Sequence, residues 1–222
     1  MVLSSGDVAE TDPSELPIFE LPLALVPAER VPLHIFEERY RLMIGDCIDR
    51  DGPFGIVLRD EDGARAIGCS AVVAEVVERH DDGRLDIVAR GEAPFRVLER
   101  FETDDWPAAL VEMIDVDEAT AELGAELTEA REAFAKLLEA VGADPSRADA
   151  PASAYPIAAQ IEMPALDKQL LLEEEDERER LQTLTGSLRR LLTGLERARK
   201  DADLARSNGH KPGTIPKLGD NP

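Results

Sequence analysis

The sequence has few cysteines and few aromatic residues. Cys47 and Cys69 are the only cysteines among 222 residues, and neither belongs to a C-x-x-C pair, so neither a disulfide framework nor a zinc site is indicated. Two buried thiols in a reducing compartment are the favoured interpretation. Aromatic residues make up 4% of the chain, so we expect a core built from Leu, Val, Ile and Ala.

Positive charge is also scarce. The chain has 25 Lys and Arg residues against 47 Asp and Glu residues, which gives a formal net charge of -22. Because affinity for nucleic acids comes largely from Lys and Arg residues that displace counterions, this balance argues against a nucleic-acid partner. It also disfavours binding to anionic membrane surfaces. Solubility is the simplest role for the charge, and a salty cytoplasm or a basic partner remains open.

Long hydrophobic runs are missing as well. No apolar run approaches the roughly 20 residues that a membrane helix needs. The acidic N-terminus has neither the basic nor the apolar region of a signal peptide, so we expect a cytoplasmic protein. Residues 1–14 and 205–222 lack hydrophobic periodicity, which predicts a disordered leader and a disordered tail. The 43% of residues that are hydrophobic suffice for a substantial core between them.

Alternating hydrophobic residues, which are typical of strands with one buried face, dominate residues 15–117. The first strand alternates through residues 19–25, and after a turn the second alternates through residues 31–35. Further strands are predicted at residues 54–58, 67–78, 85–89, 95–97 and 106–114, with a hairpin turn at residues 81–83 and an interruption at Gly91. Short strands at this spacing predict a small closed or half-closed barrel.

One helix is inserted after the second strand. Phe36, Tyr40 and Cys47 recur at helical spacing, so we expect a helix over residues 36–47 whose apolar positions face inward. The same geometry turns charged residues outward: Glu37, Glu38, Arg39 and Arg41.

Apolar residues recur at helical spacing through residues 118–204, which predicts a series of helices. A stripe from Leu123 to Val141 predicts one helix, which Gly142 ends. An Ala-rich helix is predicted over residues 151–163 with a kink at Pro156, and Asp167 is the expected N-cap of the next helix.

The last helix carries a Leu stripe over residues 181–195. We interpret this stripe as intramolecular core, with a dimerisation zipper as the alternative. The acidic run at residues 173–179 is interpreted as a solvent-exposed helix face, with Arg178 and Arg180 offering i,i+4 ion pairs.

Several segments, in order and spacing, resemble the N-terminal substrate-binding domain of ATP-dependent Lon proteases. The matching segments are LPIFELPLALVP, VPLHIFEERYRLMI, IGCSA, DGR followed by Gly91 and FRV, and LDKQLLLE followed by Arg180, Leu181 and Leu184. The resemblance implies an α+β fold: a PUA-like β pseudobarrel with one inserted helix over residues 15–117, and then a C-terminal helical bundle over residues 118–204.

The resemblance also indicates candidate binding residues. In that family the inserted helix and the adjoining barrel loops belong to the substrate-engaging surface, and Glu38 and Arg39 occupy matching positions. We therefore expect peptide contacts from Glu38 and Arg39, with Arg41 and Trp106 as further candidates. Ordinary solubilising charges are the alternative interpretation of the charged residues.

Catalytic motifs are missing from the sequence. It contains no G-x-x-x-x-G-K-[ST] loop for ATP phosphates and no H-E-x-x-H, and Ser187 lies on a helix without an evident base. His34 is interpreted as a packed or backbone-bonded histidine because no acidic partner can be identified for it, and His80 and His210 do not suggest function. The acidic turns at residues 60–62 and 81–82 are interpreted as solvated. We expect no cofactor, no metal and no enzymatic activity.

These observations predict a stand-alone, non-catalytic protein that recognises substrates in the manner of Lon. We expect its partners to be unfolded or degron-bearing polypeptides, with a protease or chaperone as a further partner. It would hold apolar segments in a groove between barrel and bundle and act as an adaptor, a holdase or a regulator of protein quality control. The alternatives are a PUA-like RNA-binding module, which the charge disfavours, and an enzyme whose titratable groups converge in an unrecognised pocket.

Overall fold

The computed structural model describes residues 13–116 and 123–208, with side chains through Leu204. The leader predicted over residues 1–14 lies outside these ranges except for its last two residues, and most of the tail predicted over residues 205–222 does too. The first strand already includes Ser14, and the last helix continues to Asn208.

Seven strands form one curled sheet. They are β1 (Ser14–Leu21), β2 (Arg30–Ile35), β3 (Phe54–Asp60), β4 (Gly63–Ala64), β5 (Ile67–Arg79), β6 (Leu85–Glu102) and β7 (Pro107–Met113). The hydrogen-bonded order is β1-β7-β6-β5-β3-β4, and β2 adds to β6. Strand β1 also pairs with β3 in parallel, so the path from β1 through β7, β6, β5 and β3 returns to β1 and closes a barrel.

Five helices complete the described structure. They are α1 (Glu38–Arg50), α2 (Gly124–Val141), α3 (Ala154–Ala158), α4 (Ala165–Glu173) and α5 (Glu177–Asn208), with a 3₁₀ helix at Pro145–Asp149. The α+β fold class, a β pseudobarrel with one inserted helix and C-terminal helices, is therefore confirmed. None of the helices in the described ranges is long and apolar enough to cross a membrane.

The barrel differs from the sequence prediction in three places. Strand β1 ends at Leu21, the last of its residues that pairs with β3, so the strand predicted through residue 25 is too long at this end. Phe36 precedes α1 and is 62% exposed, so its predicted inward orientation is wrong. Gly91 does not interrupt a strand, since β6 continues through it from Leu85 to Glu102.

The bundle also corrects two helix predictions. The Ala-rich segment forms only the five-residue α3, which contains Pro156. Pro164 is the N-cap of α4, and Asp167 lies within the first turn of that helix. By contrast, α2 ends as predicted at Gly142, which adopts the left-handed conformation with a φ of 76°.

Barrel and bundle share one hydrophobic core. It joins residues of the barrel strands and of α1 to residues of every helix of the bundle, including Ile44, Phe54, Phe134, Ile157, Leu171 and Leu184. A second, smaller cluster lies among β1, β3, β6 and β7 alone: Leu16, Ile18, Val57, Phe95, Ala109 and Val111. Leu181, Leu184 and Leu188 are fully buried, so this part of the α5 stripe is intramolecular core as predicted. The stripe becomes partly exposed from Leu191 onward.

The acidic run is not a solvent face throughout, because Glu177 and Arg180 are 3% and 0% exposed. The Arg180 guanidinium forms an ion pair with Glu177 and donates hydrogen bonds to the backbone carbonyls of Glu174 and Glu175. Helices leave their last carbonyls without intrahelical partners, and a guanidinium has five donors for such groups. Glu177 Oε1 in turn accepts a hydrogen bond from the backbone N–H of Ala154, at 2.8 Å. This pair therefore joins the start of α3 to the junction between α4 and α5.

Candidate functional site

Glu38 and Arg39 lie on the surface at the start of α1, as predicted. The Arg39 guanidinium is 3.1 Å from the carboxylate of Glu37 and lies over the ring of Tyr40, 4.5 Å from its centroid. Both contacts keep the Arg39 side chain against the protein while leaving it exposed.

Arg39 also borders a cleft of about 250 Å³ between α1, β1, β6 and β7. The Glu20 carboxylate at this cleft accepts a hydrogen bond of 2.6 Å from the Arg59 guanidinium. It also lies 3.5 Å from the guanidinium of Arg100. Charged groups of both signs therefore meet beside Tyr40 and Phe101. The arrangement suits a polar or charged part of a polypeptide better than an apolar segment.

Arg41 and Trp106 have structural contacts of their own. The Arg41 guanidinium donates a hydrogen bond of 2.7 Å to the carbonyl of Asp82, which ties α1 to the tip of the β5–β6 hairpin. Trp106 is half-buried against the shared core, and its backbone carbonyl accepts a hydrogen bond from the Thr103 hydroxyl. Of the four predicted residues, Arg39 borders the cleft beside α1, while Arg41 and Trp106 help to hold the barrel together.

An apolar groove lies within the helical bundle, between α2, α5 and the segment after α3. We call it the bundle groove; its volume is about 290 Å³. Its lining consists of apolar side chains with two polar residues among them: Phe134, Leu137, Leu138, Val141, Gln160, Ile161, Glu162, Leu191 and Leu195.

The bundle groove leaves apolar side chains open to solvent. Val141 was expected to face the core, yet it is 58% exposed at the end of α2. Leu191 and Leu195 are partly exposed because the α5 stripe continues beyond the residues that cover it. A concave apolar pocket with a few polar groups beside it is the usual form of a site that binds apolar groups. The sequence feature that indicates the groove is the length of the apolar stripes of α2 and α5, and both stripes were assigned to the core in the sequence-based prediction.

A second cleft, of about 430 Å³, lies between barrel and bundle, where the sequence predicted an apolar groove. Ile114, Val116 and Tyr155 contribute apolar surface there, and charged residues such as Arg90 and Glu92 stand beside them. Its lining is therefore more polar than that of the bundle groove.

Three buried nucleophilic side chains, those of Cys47, Cys69 and Ser187, are not activated. Burial raises the pKa of the Cys47 thiol to about 11, and complete burial raises the pKa of the Cys69 thiol further. The buried Ser187 hydroxyl accepts a hydrogen bond of 2.8 Å from Arg190. A guanidinium stays protonated in proteins, so this neighbour is unable to act as a general base.

Comparison with known proteins places this architecture among described folds. Residues 15–190 match the family described as the ATP-dependent protease La (LON) substrate-binding domain. A Lon N-terminal domain protein from Xanthomonas campestris has 23% identity and a TM-score of 0.58, with 78% of this chain and 98% of that chain covered. The N-terminal domain of a Lon protease from the Mycobacterium avium complex has 21% identity and a TM-score of 0.67, with 79% and 98% covered. At these identities the two solved structures support the fold.

Proposed function

The chain belongs to the LON substrate-binding domain family, and we propose from this premise that it is a non-catalytic polypeptide-binding protein. Its occupant is an apolar segment of an unfolded or degron-bearing chain, held in the bundle groove. The observation that carries the proposal is the groove itself, in which Val141, Leu191 and Leu195 remain accessible beside a buried Phe134.

The size of the groove suits a few anchoring side chains. Its volume of about 290 Å³ is at the lower end of the roughly 300–1,000 Å³ of ligand pockets. Two or three apolar anchors therefore fill it, and each contributes about 1.5–3 kcal/mol of burial before the cost of ordering the client is subtracted. Because a polypeptide without fixed structure loses conformational freedom on binding, moderate affinity is expected.

Charge narrows the class of client further. The net charge of -22 favours apolar segments flanked by Lys and Arg, since a complementary field accelerates encounter. The exposed Glu38, and Arg39 at the cleft beside α1, are separate candidate contacts for polar residues of the client. Binding alone returns the client chemically unchanged, so the biological role is that of an adaptor, a holdase or a regulator.

Fluorescence anisotropy with the intact protein tests this function. The probe is a labelled peptide that carries leucines between lysine-rich flanks. Val141→Lys places a charge in the groove, and a lysine at a helix C-terminus is compatible with the helix dipole. We expect at least about tenfold weaker binding, which corresponds to the loss of one anchor of about 1.4 kcal/mol.

A matched control is available in the barrel. Val77 on β5 is 59% exposed, almost the same as the 58% of Val141, and it does not line the groove. Val77→Lys adds the same charge, and we expect an affinity within about twofold of wild type. Equal loss in both variants, or no binding of any apolar peptide by the wild-type protein, would contradict the proposal.

A further inference from the structure

Two histidines and one aspartate meet at the hairpin end of the barrel. Asp86 lies in β6, and the β2–β6 register places His34 directly opposite it. On its other side, Asp86 pairs with Glu78 of β5, and His80 is the second residue after Glu78, just beyond the end of β5. His34 Nδ1 is 2.6 Å from Asp86 Oδ1, and His80 Nε2 is 2.8 Å from Asp86 Oδ2.

The backbone around this cluster is fixed. The N–H of His80 donates to the carbonyl of Arg84 at 2.9 Å, and the N–H of Gly83 donates to the carbonyl of His80 at 2.9 Å, which closes the hairpin. Arg41 holds the same turn from α1 through the carbonyl of Asp82. The ring of Phe36 stacks beside His34, with 6.1 Å between ring centroids. The three side chains therefore project from paired strands and from a turn that is held by hydrogen bonds.

We propose that His34, His80 and Asp86 form a binding site for a divalent transition-metal ion of the zinc class. Two imidazoles and one carboxylate are donors that such ions prefer, and three protein ligands leave one tetrahedral position for water or for a donor from a partner. The candidate ligand atoms all lie within 4.8 Å of one another. Ligand atoms around tetrahedral zinc are about 3.3 Å apart, since each bond is about 2.0–2.1 Å. Small side-chain rotations are enough to admit the ion.

The position of the cluster gives the ion a defined role. It would connect β2, β6 and the β5–β6 hairpin, and its open position would face solvent, because the His34 side chain is 46% exposed. Glu78, whose carboxylate is 3.7 Å from His80 Nδ1, is available as an outer partner that orients the imidazole. This site is independent of the bundle groove, so its outcome does not depend on whether polypeptides bind there.

Titration of the intact, untagged protein with Co²⁺ and Zn²⁺ tests the proposal. We expect one equivalent of Zn²⁺ to bind by calorimetry, and one equivalent of Co²⁺ to produce a visible absorption band that Zn²⁺ removes. His34→Asn and His80→Asn should each weaken binding by at least about tenfold, since even changes to outer partners of metal ligands cost 10–100-fold.

The chain's third histidine supplies the matched control. His210 lies outside the described residues and is not one of the three proposed ligands, so His210→Asn should leave the affinity and the Co²⁺ spectrum unchanged. The proposal is overturned if no stoichiometric binding occurs, if the His34 and His80 variants bind like wild type, or if His210→Asn removes the binding.

Discussion

At the residue scale, Gly91 of β6 leaves room for the loop between β1 and β2 to pack against the barrel. A Cβ at this position would lie 2.3 Å from the backbone carbonyl oxygen of Val26, and the N–H of Gly91 donates to the carbonyl of Glu29 at 2.9 Å. The loop between β1 and β2 therefore rests directly on β6, at a point where a side chain has no room. In the sequence the same glycine resembled a break between two strands.

Gly91→Ala should lower the free energy of unfolding by roughly 1–3 kcal/mol, because the backbone of Val26 must move away from the added methyl group. Urea denaturation measures the change. Gly45 in α1 is the control, since a Cβ there meets nothing within 4 Å. Gly45→Ala should raise stability by roughly 0.5–1 kcal/mol, as expected for removing a glycine from a helix interior. Equal effects of the two substitutions would show that the close approach at Gly91 is absent.

The two thiols should be unreactive in the folded protein. Because burial raises the pKa of Cys47 to about 11, its reactive thiolate is about one part in a thousand at pH 8, and Cys69 is buried more deeply. A disulfide reagent should therefore detect almost no thiol in native protein and both thiols in guanidinium chloride. The slow native reaction should accelerate as the pH rises toward 11. Rapid modification of either thiol at pH 8 would contradict this burial.

At the scale of elements, the ion pair of Glu177 and Arg180 organises the bundle. Arg180 is sandwiched between the carbonyls that end α4 and the ring of Tyr155, whose centroid is 4.6 Å from the guanidinium carbon. Arg180→Ala should destabilise the protein by roughly 3–5 kcal/mol, since it leaves the Glu177 carboxylate buried without its partner.

Arg178 provides the control for this prediction. It pairs with Glu126 of α2 but is exposed, so Arg178→Ala should cost less than about 1 kcal/mol. Thermal unfolding followed by circular dichroism compares the two variants. Similar melting temperatures would mean that the buried pair does not support the junction of α3, α4 and α5.

The elements differ in how far their sequences determine them. Strands β2, β3, β5 and β7 and helix α2 were predicted close to their true bounds. β2 and α2 each bury one face at a regular period, whereas β3 and the first five residues of β5 are continuous buried runs bounded by turns. Helix α3 was predicted too long, because alanine favours helix locally, whereas the chain turns away after Ala158. The burial of Arg180 depends also on the ring of Tyr155 in α3, which lies over its guanidinium and which no local pattern contains.

The candidate sites depend on contacts that are distant in sequence. Asp86 is 52 residues from His34, so only the strand register brings the two together. The bundle groove likewise needs α2 and α5 side by side. Sequence patterns assigned the groove residues to the core, and the expectation that His34 has no acidic partner is wrong, because Asp86 lies 2.6 Å from it. A pattern states which face a residue occupies and not what covers that face.

At the scale of the whole molecule, the acidic field should control how fast clients arrive. A peptide with lysine-rich flanks should associate about tenfold more slowly when NaCl rises from about 0.05 to 0.5 M, with a smaller change in dissociation rate. Stopped-flow fluorescence separates the two rates. A peptide with the same leucines between glutamate flanks is the control, and its association should not slow with salt. Identical salt dependence for both peptides would contradict a role for the net charge of -22.

The barrel and bundle share one core, so the groove is a feature of a single folded unit and not of a loose helical appendage. Photo-crosslinking locates the surface that binds the client, with an unfolded client that carries benzophenone beside a lysine-flanked apolar segment. Mass spectrometry then locates the attachment sites. We expect attachment to α2 at residues 134–141 and to α5 at residues 191–195, lost in Val141→Lys and kept in Val77→Lys. Attachment confined to α1, or equal labelling of both variants, would contradict this expectation.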